Sequence, residues 1–306
     1  MTDFNGKVAV VTGAGSGFGR EFARAGAALG MKLVLADVQQ DALHDTVKEL
    51  EARGAQVIAQ RVDVSRAEQV EVLAESAFSR FGAVHLLFNN AGVGGSGGLV
   101  WESTVQDWEW TLGVNLWGVV HGIRAFVPRM LAAARLDLDY RGHIANTASM
   151  AGLVNAAMMG TYSVSKHAVV SLSETLFHDL SLTGEQVRCS VLCPYFVSTG
   201  ITRSERNRPT ELAEEGPLTR SQQVAKAMNE KAVSASRVSA KQIAQMTFDA
   251  IRDGSFYIYS HPHRLAGVES RMTDLLTARN PVDPLAAQPE VRAALEAAAR
   301  IRNEFI

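Results

Sequence analysis

Short apolar runs alternate along this chain with stretches of helical periodicity. Lys7 to Thr12, Met31 to Ala36, Ala55 to Val62, Val84 to Phe88, Ile144 to Ala148, Val187 to Pro194 and Phe256 to Tyr259 read as strands. Arg20 to Leu29 and Ser239 to Arg252 read as helices, and His263 to Arg279 and Pro284 to Arg300 as alanine- and leucine-rich helices at the end. The βαβα rhythm implies an α/β fold, a doubly wound parallel sheet with helices on both faces. Ligands on such sheets bind beyond the carboxyl ends of the strands, and the polar clusters lie at those ends.

The first strand runs into Gly13-Ala14-Gly15-Ser16-Gly17-Phe18-Gly19 and then a helix. Glycines there allow a tight turn and close approach to a pyrophosphate, and the first unpaired N–H groups of the helix favour its negative charge. An ordinary tight turn, or the glycine turn of a methyltransferase, would look the same in isolation. Asp37 closes the second strand at the place where a carboxylate reaches an adenosine ribose. No lysine or arginine follows in Val38-Gln39-Gln40, so a 2′-phosphate would meet only like charge, and NAD is expected over NADP.

Tyr162 and Lys166 stand four residues apart in Tyr162-Ser163-Val164-Ser165-Lys166, which puts a phenol and an ammonium on one helical face. A phenol titrates near pH 10, and a neighbouring cation is expected to lower that value. Bringing it to neutrality takes about 4 kcal/mol of differential interaction.

With Thr12-Gly13-Ala14-Gly15-Ser16-Gly17-Phe18-Gly19, Asn89-Asn90-Ala91-Gly92, Asn115, Ser149 and Tyr162-Ser163-Val164-Ser165-Lys166 in this order, the chain resembles the short-chain dehydrogenase/reductase family over about residues 5–260. The resemblance implies a Rossmann-type fold and a catalytic tetrad of Asn115, Ser149, Tyr162 and Lys166. Tyr162 would be the acid/base, Ser149 would hydrogen-bond the substrate oxygen, Lys166 would lower the phenol pKa and grip the nicotinamide ribose, and Asn115 would hold a relay water. It also places Asp63 and Val64 around the adenine, Asn90 and Gly92 behind the adenosine half, and Pro194, Val197 and Thr199 beside the nicotinamide. The family usually has Pro-Gly after the sixth strand, whereas this chain reads Pro194-Tyr195, so Tyr195 becomes a candidate for the substrate pocket. Helices near 113–134 and 162–183 would form a homodimer interface, commonly within a homotetramer.

The uncharged run Ala151 to Met159, with Met158 as a candidate contact, argues for a bulky hydrophobic substrate. Thr202 to Arg237 is polar and interrupted by Pro209, Gly216 and Pro217, which predicts a loop with short helices inside a lid over 195–238. Residues 1–260 are then one catalytic domain and 261–306 a helical extension, over either the substrate entrance or a partner. The lid and the Phe256-Tyr257-Ile258-Tyr259 ending are similar to bacterial dehydrogenases that oxidise benzylic alcohols of lignin-derived aryl ethers. Trp101, Trp108, Trp110 and Trp117 are expected to serve packing and subunit contact.

A 306-residue chain that is 47% hydrophobic supports a large core. A net charge of −2 and pI near 6.5 give no electrostatic case for nucleic acid or an anionic membrane. No run is long enough to span a bilayer, and the start lacks a basic-then-apolar signal, so a cytoplasmic protein is expected. Cys189 and Cys193 read as buried structural thiols, and His261-Pro262-His263 as a surface loop rather than a metal site. The function expected is an NAD-dependent dehydrogenase of a hydrophobic aryl-alkyl or cyclic secondary alcohol. Its rivals are an NADP-dependent ketone reductase and a nucleotide-sensing protein without turnover, whose usual mark, a damaged tetrad, is not seen.

Overall fold

Val8, Val10, Val34 and Leu87 face one side of a sheet, and Ala9, Val11, Leu33, Leu35, Leu86 and Phe88 face the other, the two-residue alternation of extended chain. The computed structural model describes residues 1, 3–213, 216–283, 285, 286 and 289–300, with side chains to residue 297. Its strands are β1 (Val8–Thr12), β2 (Lys32–Asp37), β3 (Val57–Arg61), β4 (Leu86–Asn89), β5 (Gly142–Thr147), β6 (Val187–Cys193) and β7 (Tyr257–Tyr259). All pair in parallel, in the order β3-β2-β1-β4-β5-β6-β7.

Helices α1 (Gly17–Ala28), α2 (Gln40–Glu51) and α8 (Ala240–Asp253) cover one face through Phe22, Leu43, Leu50, Ile243, Phe248 and Ile251. Helices α3 (Ala67–Phe81), α5 (Gly118–Leu136) and α6 (Gly160–Thr183) cover the other through Leu73, Phe126, Met130, Leu176 and Leu180. Stacking of Phe22 on Phe88 at 4.6 Å and of Phe88 beside Phe248 at 5.5 Å locks the first layer. Because β1 lies between β2 and β4, chain direction around the sheet reverses there, and a crevice opens beyond the carboxyl ends.

Helix α4 (Val105–Leu112) starts on a capping box between Thr104 and Asp107 and leads, through a π-helical turn at Gly113–Trp117, into α5. After β6 the chain makes 3₁₀ turns at Gly200–Asn207 and Thr210–Leu212 and then helix α7 (Arg220–Ser234). Sequence periodicity predicts only short helices in this segment. The difference arises from the reciprocal cap of Thr219 and Gln222 and from Ala225 and Val233, which are buried in the tertiary structure.

Beyond β7, α9 (Ala266–Leu276) is followed by α10 (Pro289–Arg300), shorter at their starts than the periodicity predicts. Leu295 of α10 packs with Met158 and with Ala225 of α7. Among the described residues no helix is long and apolar enough to cross a membrane.

Candidate active site

The carboxyl ends of the strands open into a cavity of about 1720 Å³. Gly13, Ser16, Gly17, Phe18, Asp37, Val38, Asp63, Val64, Asn90 and Gly92 line it on the β1, β2 and β4 side; Ser149, Met158, Tyr162, Lys166, Pro194, Tyr195, Val197 and Thr199 line it on the β5 and β6 side. Of the sequence candidates, Gly19 and Asn115 stand behind this surface. Cys189 and Cys193 are buried free thiols, and the Cys193 thiol is pushed up to about 12, chiefly by burial.

Gly19 acts by close approach: a Cβ there would lie 2.1 Å from the Gly13 carbonyl oxygen, so a side chain would force the turn apart. Ser16 caps α1 in an extended conformation without engaging its side chain in the cap, which leaves a hydroxyl beside the helix N-terminus. Asp37 Oδ2 accepts the Gly15 N–H at 2.8 Å and Oδ1 accepts the Gln39 N–H at 2.8 Å. The carboxylate is thereby fixed at the turn, and each oxygen keeps acceptor capacity for a hydroxyl. Thr12 Oγ1 accepts the Asn90 and Ala91 N–H groups, and Asn90 Nδ2 donates to the Thr12 carbonyl at 2.9 Å, which ties the ends of β1 and β4 together. A glycine turn on a helix N-terminus with a fixed carboxylate at its side fits a dinucleotide in shape and in charge.

Ser149 caps the 3₁₀ turn Met150–Gly152 by accepting the Ala151 N–H, and its hydroxyl donates to the Pro194 carbonyl at 3.3 Å. Tyr162 lines the same cavity wall, and the Ser149 side chain opposes the effect of burial on its phenol. Lys166 lies one turn along α6, with Nζ donating to the Thr147 carbonyl at 2.9 Å and standing 5.7 Å from the Tyr162 ring centre. Burial pushes the lysine down to about 8, with the neighbouring Cys193 opposing it.

One expectation is corrected here. The Tyr162 phenol is raised above its ordinary value, not lowered, because burial outweighs the opposing effect of the Ser149 side chain. Asn115 is fully buried, its Nδ2 donating to the Val93 carbonyl and to Ser165 Oγ, both at 3.0 Å, and its Oδ1 accepting the Val93 N–H at 2.8 Å. Both its N–H groups are engaged by protein, so the side chain holds Val93 and α6 in place. The π-helical turn at Gly113–Trp117 that turns Asn115 inward is an irregularity typical of functional sites.

Several residues of the site were not legible in the sequence. His261 and His263, expected on a surface loop, and Arg264, expected in the helix that follows, border the cavity because β7 ends beside β6, while His263 and Arg264 stay exposed. Arg61 Nε donates to the Val38 carbonyl at 3.1 Å, which brings a cation beside Asp37 from a different strand. Gly94 N–H donates to Ser204 Oγ at 2.9 Å, joining the segment after β4 to the lid. No local signal marks these contacts, which depend on strand order. Of the tryptophans, Trp110 is buried and Trp101 is 76% exposed, so packing describes only the first.

The short chain dehydrogenase family model matches residues 7–210. A short-chain dehydrogenase/reductase from Burkholderia phymatum, solved in complex with NAD, is 54% identical, superposes with a TM-score of 0.90 and covers 94% of this chain and 100% of its own. The 1-deoxy-11-beta-hydroxypentalenate dehydrogenase of Streptomyces exfoliatus is 38% identical, over 83% of this chain and 83% of its own. The C alpha-dehydrogenase of a Sphingobium species is 31% identical over 96% of this chain and 93% of its own. With these matches, a parallel seven-stranded sheet and a serine, tyrosine and lysine converging at its carboxyl ends, the chain belongs to the short-chain dehydrogenase/reductase family of oxidoreductases.

Proposed function

We propose that this chain is an NAD-dependent dehydrogenase that moves hydride between a hydrophobic secondary alcohol, aryl-alkyl or cyclic, and nicotinamide. One observation carries the reading: Ser149, Tyr162 and Lys166 line the same cavity as the Asp37 carboxylate and the glycine turn. When bound, the dinucleotide supplies the ring carbon that accepts or returns the hydride. Tyr162 takes the alcohol's hydroxyl proton during oxidation and gives it back during reduction. Ser149, held by the Pro194 carbonyl and the Ala151 N–H, orients the substrate oxygen and stabilises the charge that grows on it. Lys166 remains a cation at neutral pH with a pKa of about 8, one turn along α6 from Tyr162.

Asp37 favours two ribose hydroxyls and repels a 2′-phosphate, and the Burkholderia relative holds NAD. Arg61 favours the second reading, NADP-dependent ketone reduction, because its guanidinium lies beside the Val38 carbonyl. The cavity wall at Ala151, Val154, Ala156, Ala157 and Met158 carries no charge, which supports a hydrophobic alcohol, and the Streptomyces relative is named as the dehydrogenase of a hydroxypentalenate. Exposed Trp117, in the π-helical turn before α5, and exposed Val164 and Phe177 on α6 support assembly with a second copy of the chain.

The test is turnover of a panel of secondary alcohols with NAD, followed by NADH absorbance, in the wild type and in Tyr162→Phe. The variant is expected to lose about 10²- to 10⁴-fold in kcat while still binding NAD. Undiminished turnover in that variant would refute the mechanism.

A further inference from the structure

Tyr195 stands where the cavity meets a cluster of basic side chains. Its backbone N–H donates to Ser260 Oγ at 2.9 Å, and that oxygen hydrogen-bonds His261 Nδ1 at 2.7 Å. The His261 ring lies 5.6 Å from the Tyr195 ring and 5.6 Å from that of His263. The Arg264 guanidinium sits 5.1 Å from the Tyr195 ring centre. All four side chains line the cavity that holds Ser149 and Tyr162.

We propose that this cluster is an anion subsite, with Arg264 over Tyr195 as its centre, and that the hydrophobic alcohol turned over here carries a carboxylate. The proposal rests on the oxidoreductase reading of the same cavity. Position in the chain links the two ends of the substrate: the Pro194 carbonyl accepts the Ser149 hydroxyl, and the next residue is Tyr195, against which Arg264 is stacked. The wall from Ala151 to Met158 is uncharged and, Asn155 apart, apolar, and Val154 stands beside Gly267 in the first turn of α9. A molecule with a carbinol at one end, an apolar body and an anion at the other would meet matching chemistry along its length.

The charge at this corner has no acidic partner: among the described residues neither Arg264 nor His261 nor His263 is in an ion pair. Of the acids that line the cavity, Asp37 and Asp63 belong to the adenosine side, Glu211 pairs with Arg66 and Glu205 lies near Arg208. Glu109 and Glu290 come from α4 and α10. Burial first, then the charges of His263 and Arg264, push His261 below its ordinary value, the sign of a field that favours an anion. A guanidinium carries five N–H donors, so one placed over an aromatic ring still has donors to offer a carboxylate.

The deciding experiment compares kcat/KM, with NAD, for 4-(1-hydroxyethyl)benzoate and its methyl ester, in the wild type, Arg264→Gln and Arg264→Lys. The wild type is expected to prefer the carboxylate by about tenfold, the usual size of a charge-assisted contact. In Arg264→Gln that ratio is expected to fall toward one, with the loss in KM, and in Arg264→Lys to recover in part. Equal use of acid and ester by the wild type, or the same ratio in Arg264→Gln, would overturn the subsite. Failure of the acid, the ester and 1-phenylethanol alike, in the wild type, would overturn instead the oxidoreductase reading beneath it.

Discussion

Arg208 Nη1 donates to Asp107 Oδ1 at 2.8 Å with both side chains out of solvent, 4% and 0% exposed. The pair joins the lid to α4, and the guanidinium also lies 5.2 Å from the Trp110 ring. Asp107 further completes the α4 capping box and hydrogen-bonds Ser96 in the glycine-rich segment after β4. Lid, helix and cavity wall therefore share one buried carboxylate. Asp107→Ala would remove the 2.8 Å partner of a buried guanidinium, at a cost of about 3 kcal/mol or more. The expected result is a clearly lower denaturant midpoint in equilibrium unfolding, together with a raised KM, since the lid loses its tie.

Asp37 links the glycine turn to the ribose position through the Gly15 and Gln39 N–H groups. Asp37→Ser should lower the NAD over NADP preference in kcat/KM by at least tenfold, because it removes the charge that repels a 2′-phosphate. Arg61→Ala should move the same ratio the other way, by a smaller amount, because the arginine is exposed and screened. Matched titrations of both cofactors measure the two effects, and an unchanged ratio in Asp37→Ser would contradict the assignment.

Gly19→Ala adds a methyl group 2.1 Å from the Gly13 carbonyl oxygen, backbone that cannot swing away. The turn must open, so NAD affinity is expected to fall by more than tenfold, with destabilisation of about 1–3 kcal/mol from overpacking. Calorimetric titration with NAD and thermal unfolding read the two losses separately. Gly54→Ala is the control for a glycine whose added Cβ meets nothing within 4 Å, although its φ of +82° still carries a backbone cost.

Lys166 provides a pH prediction. Its folded pKa, about 8, lies below the ordinary value of 10.5, so between these values the unfolded chain holds a proton that the folded chain has released. Stability must then rise with pH across that window, by roughly 1 kcal/mol per pH unit at most, and be flat in this group below pH 8. Lys166→Met removes the proton altogether. Denaturant midpoints at pH 7, 8, 9 and 10 should show the wild type gaining on Lys166→Met as pH rises above 8, and parallel curves would contradict the burial of a titrating lysine.

Fold class was readable because its cause is local. Val8 to Thr12 and Lys32 to Asp37 alternate faces over two residues, and the turn at Gly13 to Gly19 opens a helix for steric reasons carried by adjacent residues. Asp37, Tyr162 and Lys166 are legible for the same reason, each standing at the end of a run or at a helical interval, whereas Ser149 and Asn115 are reached through the family resemblance. Element ends moved by a few residues, as at β3, where Ala55 and Gln56 lie outside the paired strand.

What the sequence by itself determined is therefore the parallel α/β layering, the dinucleotide turn and the identity of the chemical groups, since these follow from short-range periodicity and backbone sterics. Only the tertiary structure decided their environment. Burial, which depends on all the neighbours at once, reversed the expected direction for the Tyr162 phenol and lowered Lys166. Strand order brought Arg61 to Val38 and set the His261 to Arg264 segment against Tyr195, and the packing of α10 on α7 set Leu295 against Met158 and Ala225. Such contacts join residues far apart in the chain, and their free energy resides in surfaces that exist only after the sheet has assembled.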